Sequence, residues 1–136
     1  WSDWREELPL ADFVVPTCPL TAETAGLVAN AEFARMRSSA FLINITRGRV
    51  VDEQALFDAL SQRRIAGAAI DVWYQYPCDP ASAVFPSQLP FHTLDNVVLS
   101  PHNSGWTRRT LMGRIEDIAE NINRLVEGGE LLNVVR

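Results

Sequence analysis

The sequence predicts an α/β fold, a parallel sheet with helices on both faces. Three short apolar runs each carry one chemically active residue near the carboxyl end: Phe41 to Ile45 precedes Arg47, Ile70 to Trp73 holds Asp71, and Val97 to Leu99 precedes His102. The first run is mostly apolar and lacks the alternation of a half-wet strand, which fits a strand covered on both faces. Segments with helical spacing lie before and after them. An arginine, an aspartate and a histidine at strand ends therefore meet along one edge of the sheet, where open α/β folds bind ligands.

The elements follow in order. Ala11 to Pro16 reads as a short buried strand, ending in the stiff Thr17-Cys18-Pro19-Leu20. Thr21 is placed to cap a short helix holding Glu23 and Thr24. A second short helical stretch opens at Asn30 or Ala31 and runs through Met36. Ala40 to Ile45 is a strand, and Arg47-Gly48-Arg49 a loop. Asp52 caps a helix from Glu53 to Gln62, whose Ala55, Leu56, Ala59 and Leu60 share one face. Gly67 to Trp73 is the next strand, its small residues allowing close approach of another element. Tyr74 to Asn96 is irregular and holds Pro77, Pro80, Pro86 and Pro90; a stretch of that length is usually functional or interfacial. Val97 to Ser100 is a strand. Thr107 to Glu127 is the longest helix, with Leu111, Ile115, Ile118, Ile122 and Leu125 on its apolar face and Gly128-Gly129 at its end. Leu131 to Val135 reads as an extended tail.

Bulk composition narrows the function. A length of 136 residues suits one domain with a core, and apolar residues at 47% with charged residues at 21% are ordinary for a globular chain. The formal charge is -5 and the arginines are scattered, so no basic face for nucleic acid is expected. No run is long enough to span a bilayer. Cys18 and Cys78 fit neither a disulfide framework nor a metal spacing, which points to free thiols in a reducing, cytoplasmic setting and to no bound metal. The start at Trp1 without methionine reads as truncation or processing. The chain contains no Gly-x-Gly-x-x-Gly, so if a dinucleotide binds, the phosphate turn lies upstream.

Three blocks resemble the D-isomer-specific 2-hydroxyacid dehydrogenases. They are Cys18-Pro19-Leu20-Thr21 with Thr24 and Gly26; Ile43-Asn44-Ile45-Thr46-Arg47-Gly48-Arg49-Val50-Val51-Asp52-Glu53; and Asp71-Val72-Trp73 followed by Ser100-Pro101-His102-Asn103-Ser104-Gly105. The resemblance runs from Leu8 to Val135. It implies that residues 1–136 form the second half of a Rossmann-type dinucleotide-binding domain, with the first half and the substrate domain absent. It implies hydride exchange between NAD or NADP and a 2-hydroxyacid/2-oxoacid pair, and a homodimer.

The same resemblance assigns roles. Arg47 would hold the substrate carboxylate and polarise the adjacent carbonyl, a task suited to a guanidinium fork. His102 would move the proton, since imidazole serves as acid and base near neutral pH. His92, outside any motif, reads as structural. Cys18, Pro19, Thr24, Thr46, Arg47, Asp71, His102, Ser104 and Gly105 would line the cofactor. Asp71 follows apolar residues and needs a partner. Most relatives carry a glutamate five residues after the motif aspartate, bonded to the histidine. Here Tyr76 stands there, before Pro77, with Gln75 one place earlier. A neutral phenol favours imidazolium far less than a carboxylate does. That departure keeps two alternatives open, a non-catalytic cofactor-binding regulatory relative and a formate-type dehydrogenase.

Overall fold

The computed structural model describes residues 3–79 and 83–135. Pro80, among the prolines of the irregular segment, lies outside them. Contacts divide the chain into two compact units, one through His102 and one from Asn103 onward.

The first unit is a four-stranded parallel sheet in the order β1 (Phe13–Val14), β2 (Phe41–Asn44), β3 (Gly67–Ile70), β4 (Val97–Leu99). Its register aligns Asn44 with Ile70, and Ile70 with Leu99, so the loops after β2, β3 and β4 emerge side by side. Strand order follows chain order, and right-handed crossovers then put every connection on the same face. Helix α2 (Asn30–Arg35) links β1 to β2, and α3 (Glu53–Ser61) links β2 to β3. Their Phe33, Ala55, Leu56, Ala59 and Leu60 form one core with Leu42, Ala68 and Ile70 of the sheet. Phe91, in the 3-10 turn Phe91–Thr93 before β4, joins that core and receives the edge of the Phe57 ring at 5.3 Å.

The opposite face of this unit carries exposed apolar side chains. Phe13 is 63% exposed, Phe41 42% and Val98 69%. The strands are apolar except for Asn44 at the end of β2, and within this unit α2 and α3 pack on one face. Phe13 and Phe41 stack on each other there, with ring centroids 5.8 Å apart.

Local chemistry explains the element ends. Asp52 caps α3 as expected, its carboxylate accepting from the Ala55 N–H at 2.8 Å. A short helix α1 (Trp4–Glu7), not foreseen from the sequence, presents Arg5 to Glu32 of α2 at 2.8 Å. The helix expected after Thr21 is a turn instead. The Thr24 hydroxyl accepts from the Thr21 N–H at 2.7 Å and donates to the Pro19 carbonyl at 2.6 Å, so local side-chain bonds replace helical ones. The Thr21 hydroxyl donates to Glu23, holding that carboxyl below the usual carboxylate range.

The second unit is α4 (Arg108–Glu127) with its ends. Thr107 caps it through the Thr110 N–H at 3.1 Å, and Gly128 closes it at φ +72°, in the left-handed region. Leu111, Ile115, Ile118, Ile122 and Leu125 are all exposed. The tail is no strand. Asn121 bonds the Leu132 N–H at 2.7 Å and the Leu132 carbonyl at 3.2 Å, folding it back onto α4.

Candidate active site

The loop after β2 is built around Asn44. Its side chain is fully buried at the strand end. Asn44 Oδ1 accepts from the Thr46 hydroxyl at 2.9 Å and the Thr46 N–H at 3.3 Å, while Nδ2 donates to the Arg47 carbonyl at 3.4 Å. One buried amide thus fixes the backbone that carries Arg47. Sequence reasoning passed over this residue, although an asparagine inside an apolar strand was a signal for it. The Arg47 side chain is exposed, donates to the Thr46 carbonyl at 2.7 Å and makes no ion pair among the described residues. It borders a cavity of about 750 Å³ with Thr17, Cys18, Pro19, Leu20, Ile45 and Thr46. Thr24 does not line that cavity; it braces the turn behind Pro19.

The loop after β3 packs against the Arg47 loop. Asp71 is buried and accepts from the Ser100 hydroxyl at 2.5 Å, which supplies the partner its burial demanded. The indole N–H of Trp73 donates to the Ser100 carbonyl at 2.9 Å, tying the β3 and β4 loops together.

His102 ends the first unit with φ +58°, a left-handed conformation uncommon outside glycine and enriched in functional turns. Its Nδ1 lies 3.0 Å from Tyr76 Oη, and the rings are 5.7 Å apart. The Trp73 backbone N–H donates to the same phenol oxygen at 2.9 Å. Tyr76 therefore sits against the Nδ1 side of the imidazole. This pair opens on a second cavity, of about 440 Å³, between the β3 and β4 loops. His92 sits apart, exposed in the 3-10 turn.

Arg47 and His102 thus border different cavities of one sheet edge. They follow β2 and β4, which flank β3, so their strand ends lie about 10 Å apart by two strand spacings. Ser104 and Gly105 belong to the second unit. Tyr74 stacks on Phe91 at 6.5 Å, and its hydroxyl is buried without a hydrogen-bond partner. Burial, then the charges of Glu53 and Asp52, push that phenol well above its ordinary range. Among the described residues no cluster of histidine, cysteine and carboxylate side chains is arranged for a metal.

The chain matches the family described as D-isomer specific 2-hydroxyacid dehydrogenase, NAD binding domain, over residues 1–104. It is 39% identical to a glyoxylate reductase of Korarchaeum cryptofilum over 82% of this chain and 32% of that protein. It is 33% identical to a D-3-phosphoglycerate dehydrogenase of Methanocaldococcus jannaschii over 98% of this chain and 24% of that protein. The crystal structure of D-lactate dehydrogenase with NAD+ from Lactobacillus jensenii superposes with a TM-score of 0.84 at 28% identity, over 99% of this chain and 42% of that one. The chain spans about a quarter to a third of the length of these curated relatives. It belongs to the NAD-binding domain family of the D-isomer specific 2-hydroxyacid dehydrogenases.

Proposed function

We propose that this chain is the nicotinamide-side part of an NAD- or NADP-dependent oxidoreductase acting on a 2-hydroxyacid/2-oxoacid pair. The observation that carries the reading is a guanidinium without an ion pair among the described residues and a hydrogen-bonded imidazole, on the loops after β2 and β4 that flank the β3 loop at one carboxyl sheet edge. The cavity beside Arg47 is mostly apolar with a few polar groups, Thr17, Thr46 and Arg47, the character of a cofactor-ring pocket, with Cys18, Pro19, Leu20 and Ile45 as its apolar wall. When bound, the dinucleotide supplies or accepts a hydride at the substrate carbon.

The chain's own residues do the rest. Arg47 holds the substrate carboxylate and faces the carbonyl oxygen, where negative charge grows during reduction. His102 gives that oxygen its proton and takes it back in oxidation. Asp71, held by Ser100, stands at the β3 end between them as the acceptor for a carboxamide N–H. Thr24 contributes by stiffening the Pro19 turn. The assignment of Ser104 and Gly105 to the cofactor rests on the motif alone. A homodimer and a cytoplasmic setting belong to the same reading, supported by the family and by two free thiols. No helix among the described residues is long and apolar enough to cross a membrane.

The test is hydride transfer by the full-length protein, followed by nicotinamide absorbance, with NADH and NADPH and a panel of 2-oxoacids and formate. Turnover of a 2-oxoacid supports the reading. Binding of a dinucleotide with no turnover of any panel member favours the non-catalytic relative.

A further inference from the structure

The hydrogen-bond count at Tyr76 carries a consequence for proton transfer. A phenol has one O–H to give and one good lone pair, with a second weaker. The Trp73 N–H fills the good one at 2.9 Å. His102 Nδ1, at 3.0 Å, is the remaining partner. If Nδ1 carried the hydrogen, the phenol oxygen would accept twice and its own O–H would have no protein partner. If Nδ1 is bare, every group is matched: Trp73 N–H to Oη, Oη–H to Nδ1, and the imidazole hydrogen on Nε2, free for substrate. Among the described residues, the wall of the cavity around the pair, with Gln75, Pro77, Val84, Leu99 and Pro101, carries no acid and no arginine, and Asp71 accepts from Ser100.

We propose that Tyr76 is a positioning residue that holds neutral His102 with its hydrogen on Nε2 and passes its own hydroxyl proton to Nδ1 as Nε2 protonates a keto oxygen. This rests on the reading of the chain as a 2-oxoacid oxidoreductase. The balance is complete. Hydride addition to the carbonyl carbon leaves an alkoxide; the Nε2 proton moves to that oxygen; the Tyr76 proton moves to Nδ1; the phenolate is held by the Trp73 N–H and regains a proton from water. The pair is 3.0 Å apart and Tyr76 is 47% exposed, so water reaches it. Reduction therefore does not require imidazolium. Oxidation runs the same relay in reverse, from a bare Nε2 with the hydrogen on Nδ1 facing the phenol oxygen.

Two measurements on the full-length protein decide this. The first is the ring nitrogen NMR of His102, assigned against His102→Gln, above the imidazole titration. The expected hydrogen is on Nε2 in wild type and on Nδ1 in Tyr76→Glu, because a carboxylate only accepts. A wild-type hydrogen on Nδ1, or no change in Tyr76→Glu, overturns the proposal, and this readout needs no activity. The second is the pH profile of 2-oxoacid reduction in wild type and Tyr76→Phe. Equal kcat at acid pH, with a loss of about tenfold or more in Tyr76→Phe on the alkaline side, is expected for a lost proton donor. Parallel profiles overturn it. Absence of turnover in wild type overturns the functional reading instead, and the NMR result still judges the tyrosine.

Discussion

Gly48 sits against the backbone of Trp73: a Cβ placed on it would meet the Trp73 carbonyl oxygen at 2.3 Å. This contact locks the loop carrying Arg47 to the loop carrying Asp71 and Trp73. A methyl group there has only rigid backbone to push against. Gly48→Ala should cost about 1–3 kcal/mol, as overpacking does. It should also shift Arg47, raising the KM for a 2-oxoacid. Denaturant titration and steady-state kinetics on the full-length protein check both, and an unchanged KM would mean the Arg47 loop is set by Asn44 alone.

Arg5 and Glu32 give an acid-side prediction. Burial raises the Glu32 carboxyl, but the Arg5 guanidinium and the Ala29 N–H outweigh it and hold it below the carboxylate range. A lowered native value adds stability above the unfolded value, and that stability is lost as pH falls through the native one. Arg5→Ala should therefore cost about 1–2 kcal/mol at neutral pH by stripping a buried acceptor of its partner. It should also flatten the loss of stability below the ordinary carboxylate value of 4.5. Urea midpoints at neutral and acid pH read both effects.

Tyr74 predicts the alkaline side. Its phenol is raised, so the native state keeps its proton where the unfolded chain releases one. The contribution is intact below the ordinary value of 10.0 and declines as pH rises through the raised native one. Tyr74→Phe removes an orphaned buried hydroxyl and should stabilise by about 1 kcal/mol. It should also flatten the alkaline decline. Thermal unfolding across that range tests it; a destabilised variant would mean that the hydroxyl has a partner in solution.

Much of this was legible in the sequence. Apolar runs located β2, β3 and β4, the Asp52 cap located α3, and the spaced apolar residues ending at Gly128-Gly129 located α4, because these signals are local. The family resemblance implied that the residue five places after Asp71 lies by the histidine, and Tyr76 and His102 are 3.0 Å apart. The exposure of Phe13, Phe41 and Val98 in the first unit was not legible. Phe13, Phe41 and Val98 have strand-core character, and only strand order decides which face the crossovers cover. The Thr21 turn was misread as a helix start because a capping threonine and a turn-bracing threonine look alike in sequence. Asn44 went unnoticed because its value lies in three bonds to Thr46 and Arg47.

The central claim is that Arg47 and His102 act on one 2-oxoacid. Steady-state kinetics of the full-length wild type, Arg47→Ala and His102→Asn test it most directly. The account predicts that Arg47→Ala lowers kcat/KM about 10²–10³-fold, as loss of a charge-stabilising donor does. It predicts that His102→Asn lowers kcat about 10²–10⁴-fold with little change in KM. Either variant reducing the substrate within about threefold of wild type would contradict it.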